Sequence, residues 1–268
     1  NQALEDGDRI LAVVEGTAIN TDGSKSGLTV PNMNVQVSLI RKVYERAGIL
    51  PEDIDYLEAH GTGTVIGDPI ESQAIGNALG KFRKSPLPIG SVKSNLGHLE
   101  TASGVAGMVK ALLSIEHRSV PATIGIKRLN SRIRFDEWNI DVVRETRQLP
   151  LDKRIIIGIN SFGFGGANAH VILSSPPAPS FHQGSTVGRL RGKLPLRISA
   201  RSDESLSVAA ERFAELLCKD YENNDFYDVA WCAHYRREHH RQGLLVFAET
   251  SEEAASKLRQ FIKYGANE

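Results

Sequence analysis

Two short apolar runs, each ending in a glycine-rich turn that carries one histidine, constrain this chain more than any other feature. The runs are Ile54 to Leu57 and Leu87 to Val92. The turns read Glu58-Ala59-His60-Gly61-Thr62-Gly63-Thr64 and Lys93-Ser94-Asn95-Leu96-Gly97-His98. Each run reads as a buried strand and each is followed by a helical pattern, which places both imidazoles at strand ends of an α/β sheet, where ligands bind. Two such turns point to one active site.

The surrounding pattern extends the same architecture. Alternation or apolar runs predict strands near 9–19, 54–59, 88–92, 155–161 and 168–174, and helical spacing predicts helices near 34–48, 70–80 and 102–117, with Gly48 and Gly80 closing the first two. The order β-α-β-α-β-α-β-β predicts right-handed crossovers and a largely parallel sheet covered by helices. Residues Pro176, Pro177 and Pro179 cannot continue a helix or strand, and Gln183 to Gly192 has no hydrophobic period, so a domain boundary falls there. The expected organisation is a first domain over 1–178, a linker over 179–193 and a second domain over 194–268. That last segment reads as a small α+β unit: a strand at 195–200, a helix capped by Ser202 and running through 219, a helix near 225–237, a strand at 244–248 and a helix from Ser251 to about Lys263. In the first of these helices Leu206, Ala209, Ala210, Phe213, Leu216 and Leu217 share one face.

Composition excludes several classes of function. Lys plus Arg and Asp plus Glu number 32 each among 268 residues, with 19 of each sign up to residue 178 and 13 of each beyond it. Nucleic acid and anionic membranes therefore have no electrostatic footprint to meet. No apolar run approaches the roughly 20 residues that span a bilayer, and a cytoplasmic location is expected. Cys218 and Cys232 do not make a disulfide framework, and both are expected to pack as small apolar residues.

Several motifs in fixed order resemble the ketosynthase domain of modular polyketide synthases and, more broadly, the condensing enzymes of fatty-acid synthesis. They begin with Asp6-Gly7-Asp8-Arg9-Ile10, Asn20-Thr21-Asp22-Gly23 and Thr29-Val30-Pro31-Asn32. The two histidine turns follow, the first continued by Gly67-Asp68-Pro69-Ile70-Glu71, and Asn160-Ser161-Phe162-Gly163-Phe164-Gly165-Gly166-Ala167-Asn168-Ala169-His170 comes last. The join at Leu194-Pro195-Leu196-Arg197-Ile198-Ser199-Ala200 resembles the start of the linker domain between a ketosynthase and its acyltransferase. Leu149-Pro150 stands where Trp-Pro is common in that family, and Leu129-Asn130-Ser131 where Pro-Asn-Pro is usual.

The resemblance implies an α/β fold that is the C-terminal half of a thiolase-like (β-ketoacyl synthase) fold, followed by the small α+β linker domain. It also implies an acyltransferase of β-ketoacyl synthase type, performing decarboxylative Claisen condensation of carrier-protein-bound acyl and malonyl-type thioesters. His60 and His98 would point ring N–H groups at the thioester carbonyl, because an enolate oxygen needs fixed donors where its charge develops. Lys93 would orient the site and hold positive charge near it. Thr62 and Thr64, with Thr29, would contact the amides of a phosphopantetheine arm, with turn-stabilising hydroxyls as the alternative reading of the first two. Phe164, among three glycines, is either an acyl gate or a core anchor on a tight turn. Asn168 and His170 read as structural.

No directly bound cofactor and no metal are expected, only the phosphopantetheine arm of an acyl carrier protein. The implied partners are that carrier, the N-terminal ketosynthase half, the adjacent acyltransferase domain and a second copy in a homodimer. Gly61 to Gly67 partly resembles a dinucleotide-binding loop, but its third glycine is one position late and no acidic ribose partner follows the next strand. The basic stretch His234 to Arg241 lacks a metal-ligand spacing and an aromatic platform for bases, and reads as a solvated helix end.

Neither cysteine lies in the Thr-Ala-Cys-Ser-type setting that carries the family's nucleophile. A thiolase-type site takes that cysteine from the first half of its fold, so the 268-residue chain alone is expected to be inactive. The alternative is a non-catalytic docking or spacing module. The small residues Ala102, Ser103, Gly104, Ala106 and Gly107 are expected to pack against a partner, leaving an exposed apolar face in its absence.

Overall fold

The computed structural model of the protein describes residues 2–5, 8–23, 27, 30–177, 192–219 and 226–265. Thr29, the opening Asp6-Gly7 and the linker stretch through residue 191 lie outside the described residues. Contacts divide the chain into two compact units, Asn1–Ser180 and Phe181–Glu268.

In the first unit α1 (Gln2–Glu5), β1 (Val13–Thr21), α2 (Met33–Ala47), β2 (Tyr56–Glu58), α3 (Gly67–Ala78), β3 (Leu87–Gly90) and α4 (Lys93–Leu96) come in turn. They are followed by α5 (Ser103–Glu116), β4 (Ser119–Val120), α6 (Phe135–Trp138), β5 (Ile140–Val142), β6 (Arg147–Gln148), β7 (Ile156–Phe162) and β8 (Ala167–Ser174). The main sheet has the order β1-β8-β7-β2-β3-β5. Strands β7, β2, β3 and β5 are mutually parallel, as expected, whereas β8 is antiparallel to both β7 and β1. The sheet is therefore mixed rather than largely parallel. The cause is local: only the turn 163–166 separates β7 from β8, and parallel pairing needs a crossover of a dozen or more residues.

Alternation along the strands builds two cores. Ile156 and Ile172 pack with Ile40, Val43 and Tyr44 of α2 and Ile75 of α3 on one face. Ile157, Ile159 and Leu173 pack with Ala111 and Ile115 of α5 on the other. The ends of α2 follow from its sequence. The Asn32 side chain accepts the Val35 N–H at the start, and Gly48 closes the helix at φ 65°. Gly80 does not close α3 in that way. Its backbone lies against the Trp138 carbonyl, which an added Cβ would approach to 2.0 Å, so the glycine permits a close crossing instead.

Helix α5 corrects one expectation. Ser103 and Gly107 are turned to the sheet, where a Cβ on Gly107 would sit 3.3 Å from Glu58 Cγ, so these small residues serve packing within the unit. The solvent-facing row is instead Val105, Val109 and Leu113, exposed by 63%, 48% and 48%, and Leu96 and Leu99 add to the exposed apolar surface of the unit.

In the second unit β9 (Leu194–Ala200) pairs antiparallel with β10 (Gln242–Ala248), and α7 (Asp203–Lys219), α8 (Phe226–Tyr235) and α9 (Ser251–Tyr264) share their core. Ser202 accepts the Ser205 N–H at the start of α7. Leu206, Ala210 and Leu217 are buried, Ala214 takes a place on the same face, and Leu216 is exposed instead. Cys218 is half-buried beside the Arg259 guanidinium, and Cys232 is exposed on the outer face of α8 rather than packed in the core. Among the described residues no helix is long and apolar enough to cross a membrane.

His170 on β8 is fully buried and lies against Tyr44 and Gly158. Asn160 donates its amide to Glu71, which leaves Asn160 Oδ1 to accept from His170 Nδ1 at 2.7 Å. Burial pulls the pKa of His170 down to about 3. The unfolded chain takes up this proton near pH 6.5, so stability is full above that value and declines as pH falls towards 3. We expect a slope of up to about 1.4 kcal/mol per pH unit from this residue in denaturant titrations. His170→Asn should flatten the curve in that window, and an unchanged slope would contradict the assignment.

Candidate active site

The two histidine turns meet at the C-terminal ends of β2 and β3. Strand β2 runs parallel to β3 with Leu57 opposite Ile89, so the residues that follow each strand emerge at the same sheet edge. The His60 and His98 rings stand edge to face with centroids 5.5 Å apart, and Phe162 at the end of β7 packs 5.9 Å from His60. Lys93 begins α4 and brings Nζ to 3.5 Å from His60 Nδ1. His60 and Lys93 are half-buried and His98 is exposed.

The hydrogen bonds decide which ring nitrogens carry protons. A lysine ammonium has donors only, so His60 Nδ1 accepts from Lys93. His98 Nδ1 accepts the Glu100 N–H at 2.9 Å. Both rings therefore keep Nε2–H as their remaining donor. The pKa of His60 is pulled down to about 3, first by burial and then by the neighbouring Lys93 ammonium, so this imidazole is neutral at neutral pH. Burial also lowers the pKa of Lys93, against the opposing pull of Glu71, Glu58 and Asp68.

Two buried carboxylates hold the turns, and their roles are absent from the sequence expectations. Glu71 on α3 accepts from His60 N and Asn160 Nδ2 through Oε1, at 2.7 and 2.9 Å, and from Gly61 N through Oε2 at 2.8 Å. Burial raises its pKa while these donors pull it down. Glu58, closing β2, accepts the Val92 N–H at 2.5 Å. The sequence signal for both was present: Glu58 ends a buried apolar strand, and Glu71 lies on the buried face of a helix. A charged side chain in such a place needs partners. Asp68 accepts the Gly63 N–H at 3.0 Å, and burial raises its pKa.

Thr62 and Thr64 face each other with hydroxyls 3.3 Å apart. Thr64 Oγ1 also accepts the Gly67 N–H at 3.0 Å, which stabilises the turn into α3 and leaves the hydroxyl hydrogen free to donate elsewhere. Phe164 sits on the β7–β8 turn with 72% of its surface exposed, so it is not a core anchor. Asn168 is buried and donates to Asp22 and Asn20.

A cavity of about 370 Å³ lies beside His98, with Thr62, Asp68, Lys93 and His98 among its polar lining and Ile126 and Phe135 among its apolar lining. A larger hollow of about 840 Å³, bordered by Arg9, Arg118, Lys153 and Pro176, touches neither histidine. The convergent polar groups single out the smaller one. Among the described residues no group of three His, Cys, Asp or Glu is placed to hold a metal ion.

Residues 11–127 match the family described as beta-ketoacyl synthase, C-terminal domain, and residues 130–246 match ketoacyl-synthetase C-terminal extension. A highly reducing polyketide synthase of Neurospora crassa is 40% identical over 89% of this chain, which spans 10% of that protein. A polyketide synthase of Streptomyces halstedii is 36% identical over 96% of the chain, which spans 4% of it. Among solved structures, the module 6 ketosynthase of the Bacillus subtilis bacillaene synthase superposes with TM-score 0.84 at 30% identity, covering 99% of this chain and 48% of that one. An oxazolomycin ketosynthase domain of Streptomyces albus gives TM-score 0.85 at 34% identity, covering 99% and 46%. The chain thus spans a small part of the curated relatives and just under half of the solved ketosynthases.

Glu71→Gln tests the support of the His60 turn. The amide would turn an NH₂ group towards an N–H donor, leaving a buried donor unpaired at a cost of about 1–3 kcal/mol. The denaturation midpoint should fall accordingly, and an unchanged midpoint would show that the turn does not depend on this carboxylate.

Proposed function

The chain belongs to the β-ketoacyl synthase family of polyketide synthases, carrying that domain's C-terminal part and its extension, and on this premise we propose that it supplies the decarboxylating half of a condensing site. The observation that carries the reading is the pair of converging imidazoles, each with Nδ1 occupied as an acceptor and Nε2–H left to donate.

Loss of carbon dioxide from a malonyl-type thioester moves an electron pair onto the α-carbon and the carbonyl oxygen. Two fixed N–H donors at that oxygen stabilise the enolate as its charge develops, without reorganisation. The enolate carbon then attacks an acyl thioester held on a cysteine, and the cysteine thiolate leaves as the new carbon–carbon bond forms. That cysteine is contributed by the remainder of the synthase domain. Lys93 keeps His60 in its donor tautomer and places positive charge beside the developing enolate. Thr62, Thr64 and Thr29 contact the phosphopantetheine arm of an acyl carrier protein, and the exposed Phe164 gates the acyl side.

The exposed row Val105, Val109 and Leu113 is covered by the other half of the synthase domain in this reading. The superposed ketosynthases, of which this chain covers less than half, support such a cover. The complete enzyme is a homodimer joined through the second unit to an acyltransferase.

Two outcomes follow. The isolated chain should show no condensation of malonyl and acyl thioesters, and turnover by the pure chain would contradict the assignment of the nucleophile. In the intact synthase, replacing either His60 or His98 by Ala should lower malonyl decarboxylation by about a hundredfold to a thousandfold, as for loss of one oxyanion donor. A loss below about tenfold for both would overturn the proposed donor pair.

A further inference from the structure

Behind the histidines lies an ion pair that lines no part of the cavity. Glu58 and Lys110 are exposed by only 2% and 8%. Lys110 Nζ sits 2.8 Å from Glu58 Oε2, donates to the Tyr56 hydroxyl at 2.7 Å and stands 5.0 Å from the Tyr56 ring centroid. Tyr56 in turn donates to Glu58 Oε2 at 2.7 Å. The other oxygen, Oε1, takes the Val92 N–H. Three elements are joined through one carboxylate: β2, which leads into His60; the segment after β3, which leads into Lys93; and α5.

Glycines make the room. A Cβ on Gly90 would stand 2.6 Å from the Tyr56 hydroxyl, and one on Gly107 would stand 3.3 Å from Glu58 Cγ. Withdrawing two charges from water is costly, and well-packed apolar residues often stabilise a core as well or better. The cluster therefore has weak claims as a stabiliser, and its geometry suggests another use. Glu58 is two residues before His60, and Val92 is the residue before Lys93. The bond between them fixes the spacing of the two turns from behind.

We propose that the Lys110–Glu58–Tyr56 cluster is a positioning device that locks the Lys93 turn to the His60 strand, keeping the Lys93 ammonium on His60 Nδ1 and the ring proton on Nε2. The cluster acts through Lys93 and touches no reacting atom. Its functional consequence rests on the ketosynthase reading above. Without the lock Lys93 drifts, His60 Nδ1 loses its donor, and the ring no longer holds its proton on Nε2 alone.

The test uses the intact synthase and decarboxylation of a carrier-bound malonyl thioester. Lys110→Met should lower kcat by roughly ten- to a hundredfold, as for a misplaced catalytic group, with KM for the malonyl carrier changed less than about twofold. In a Lys93→Met background the same substitution should change kcat by less than about twofold, because the group through which it acts is gone. Val92→Pro removes the N–H that Glu58 holds, at a residue whose φ of −61° suits proline, and should follow the same pattern in both backgrounds. Lys153→Met breaks the ion pair with Asp55 at the far end of β2 and should leave kcat unchanged.

Wild-type kcat in both Lys110→Met and Val92→Pro, or equal losses with and without Lys93, would overturn the inference. Should Lys110→Met fail to fold, Val92→Pro decides by the same comparison. A silent wild-type enzyme would overturn the ketosynthase reading, and this inference with it, whereas an active wild type with insensitive variants overturns the inference alone.

Discussion

Two carboxylates buried behind the C-terminal ends of β2 and β3 are the constraint on which the site depends. An ionised group out of water must find donors, and the donors nearest Glu71 and Glu58 are backbone N–H groups of the turns that carry chemistry. Glu71 gathers His60 N, Gly61 N and the Asn160 amide. Glu58 gathers Val92 N, the Tyr56 hydroxyl and Lys110. Satisfying each carboxylate leaves its turn with little freedom, and the two imidazoles inherit a fixed relation at 5.5 Å. The site is thus shaped from beneath, while the catalytic side chains themselves remain half-buried or exposed and open to a ligand.

A second layer of order runs through the sheet. His170, Asn160 and Glu71 form a chain of hydrogen bonds that connects β8, β7 and α3 to the His60 backbone. Gly158 makes room for His170 and Tyr44 against the sheet, a place where any side chain would collide with the Tyr44 hydroxyl at 2.4 Å. Core packing and site geometry are therefore one problem on this face. On the other face α5 contributes its small residues and Lys110 to the sheet and leaves an apolar row outward. That division fits a helix that serves two layers, one within the unit and one supplied by a partner.

Much of this was legible in the sequence because the relevant signals are local. Gly48 closes α2, Ser202 starts α7, and the apolar runs Ile54 to Leu57 and Leu87 to Val92 hold the adjacent parallel strands β2 and β3. The histidines could be placed at one sheet edge for the same reason. Signals that depend on distant partners were not legible. Strand β5 has three residues, too few to show a period, and joins the sheet only through β3. Gly80 looked like a helix stop, but its reason is the Trp138 carbonyl, 58 positions further along. The roles of Glu71 and Glu58 required knowing which backbone N–H groups would lie within reach, and the tautomers of His60 and His98 required the contacts of Lys93 and Glu100. Cys232 was misplaced because an apolar neighbour, Trp231, is itself partly exposed, at 39%.

The central claim is that the fold delivers two imidazoles whose Nδ1 atoms are occupied and whose Nε2–H groups are free to donate. Nitrogen-15 NMR of histidine-labelled protein reads this directly, through the shifts and two-bond couplings that separate the tautomers. The account predicts a proton on Nε2 and none on Nδ1 for both His60 and His98 at neutral pH. A proton on Nδ1 of either ring would contradict it, and with it the arrangement of donors on which the proposed chemistry depends.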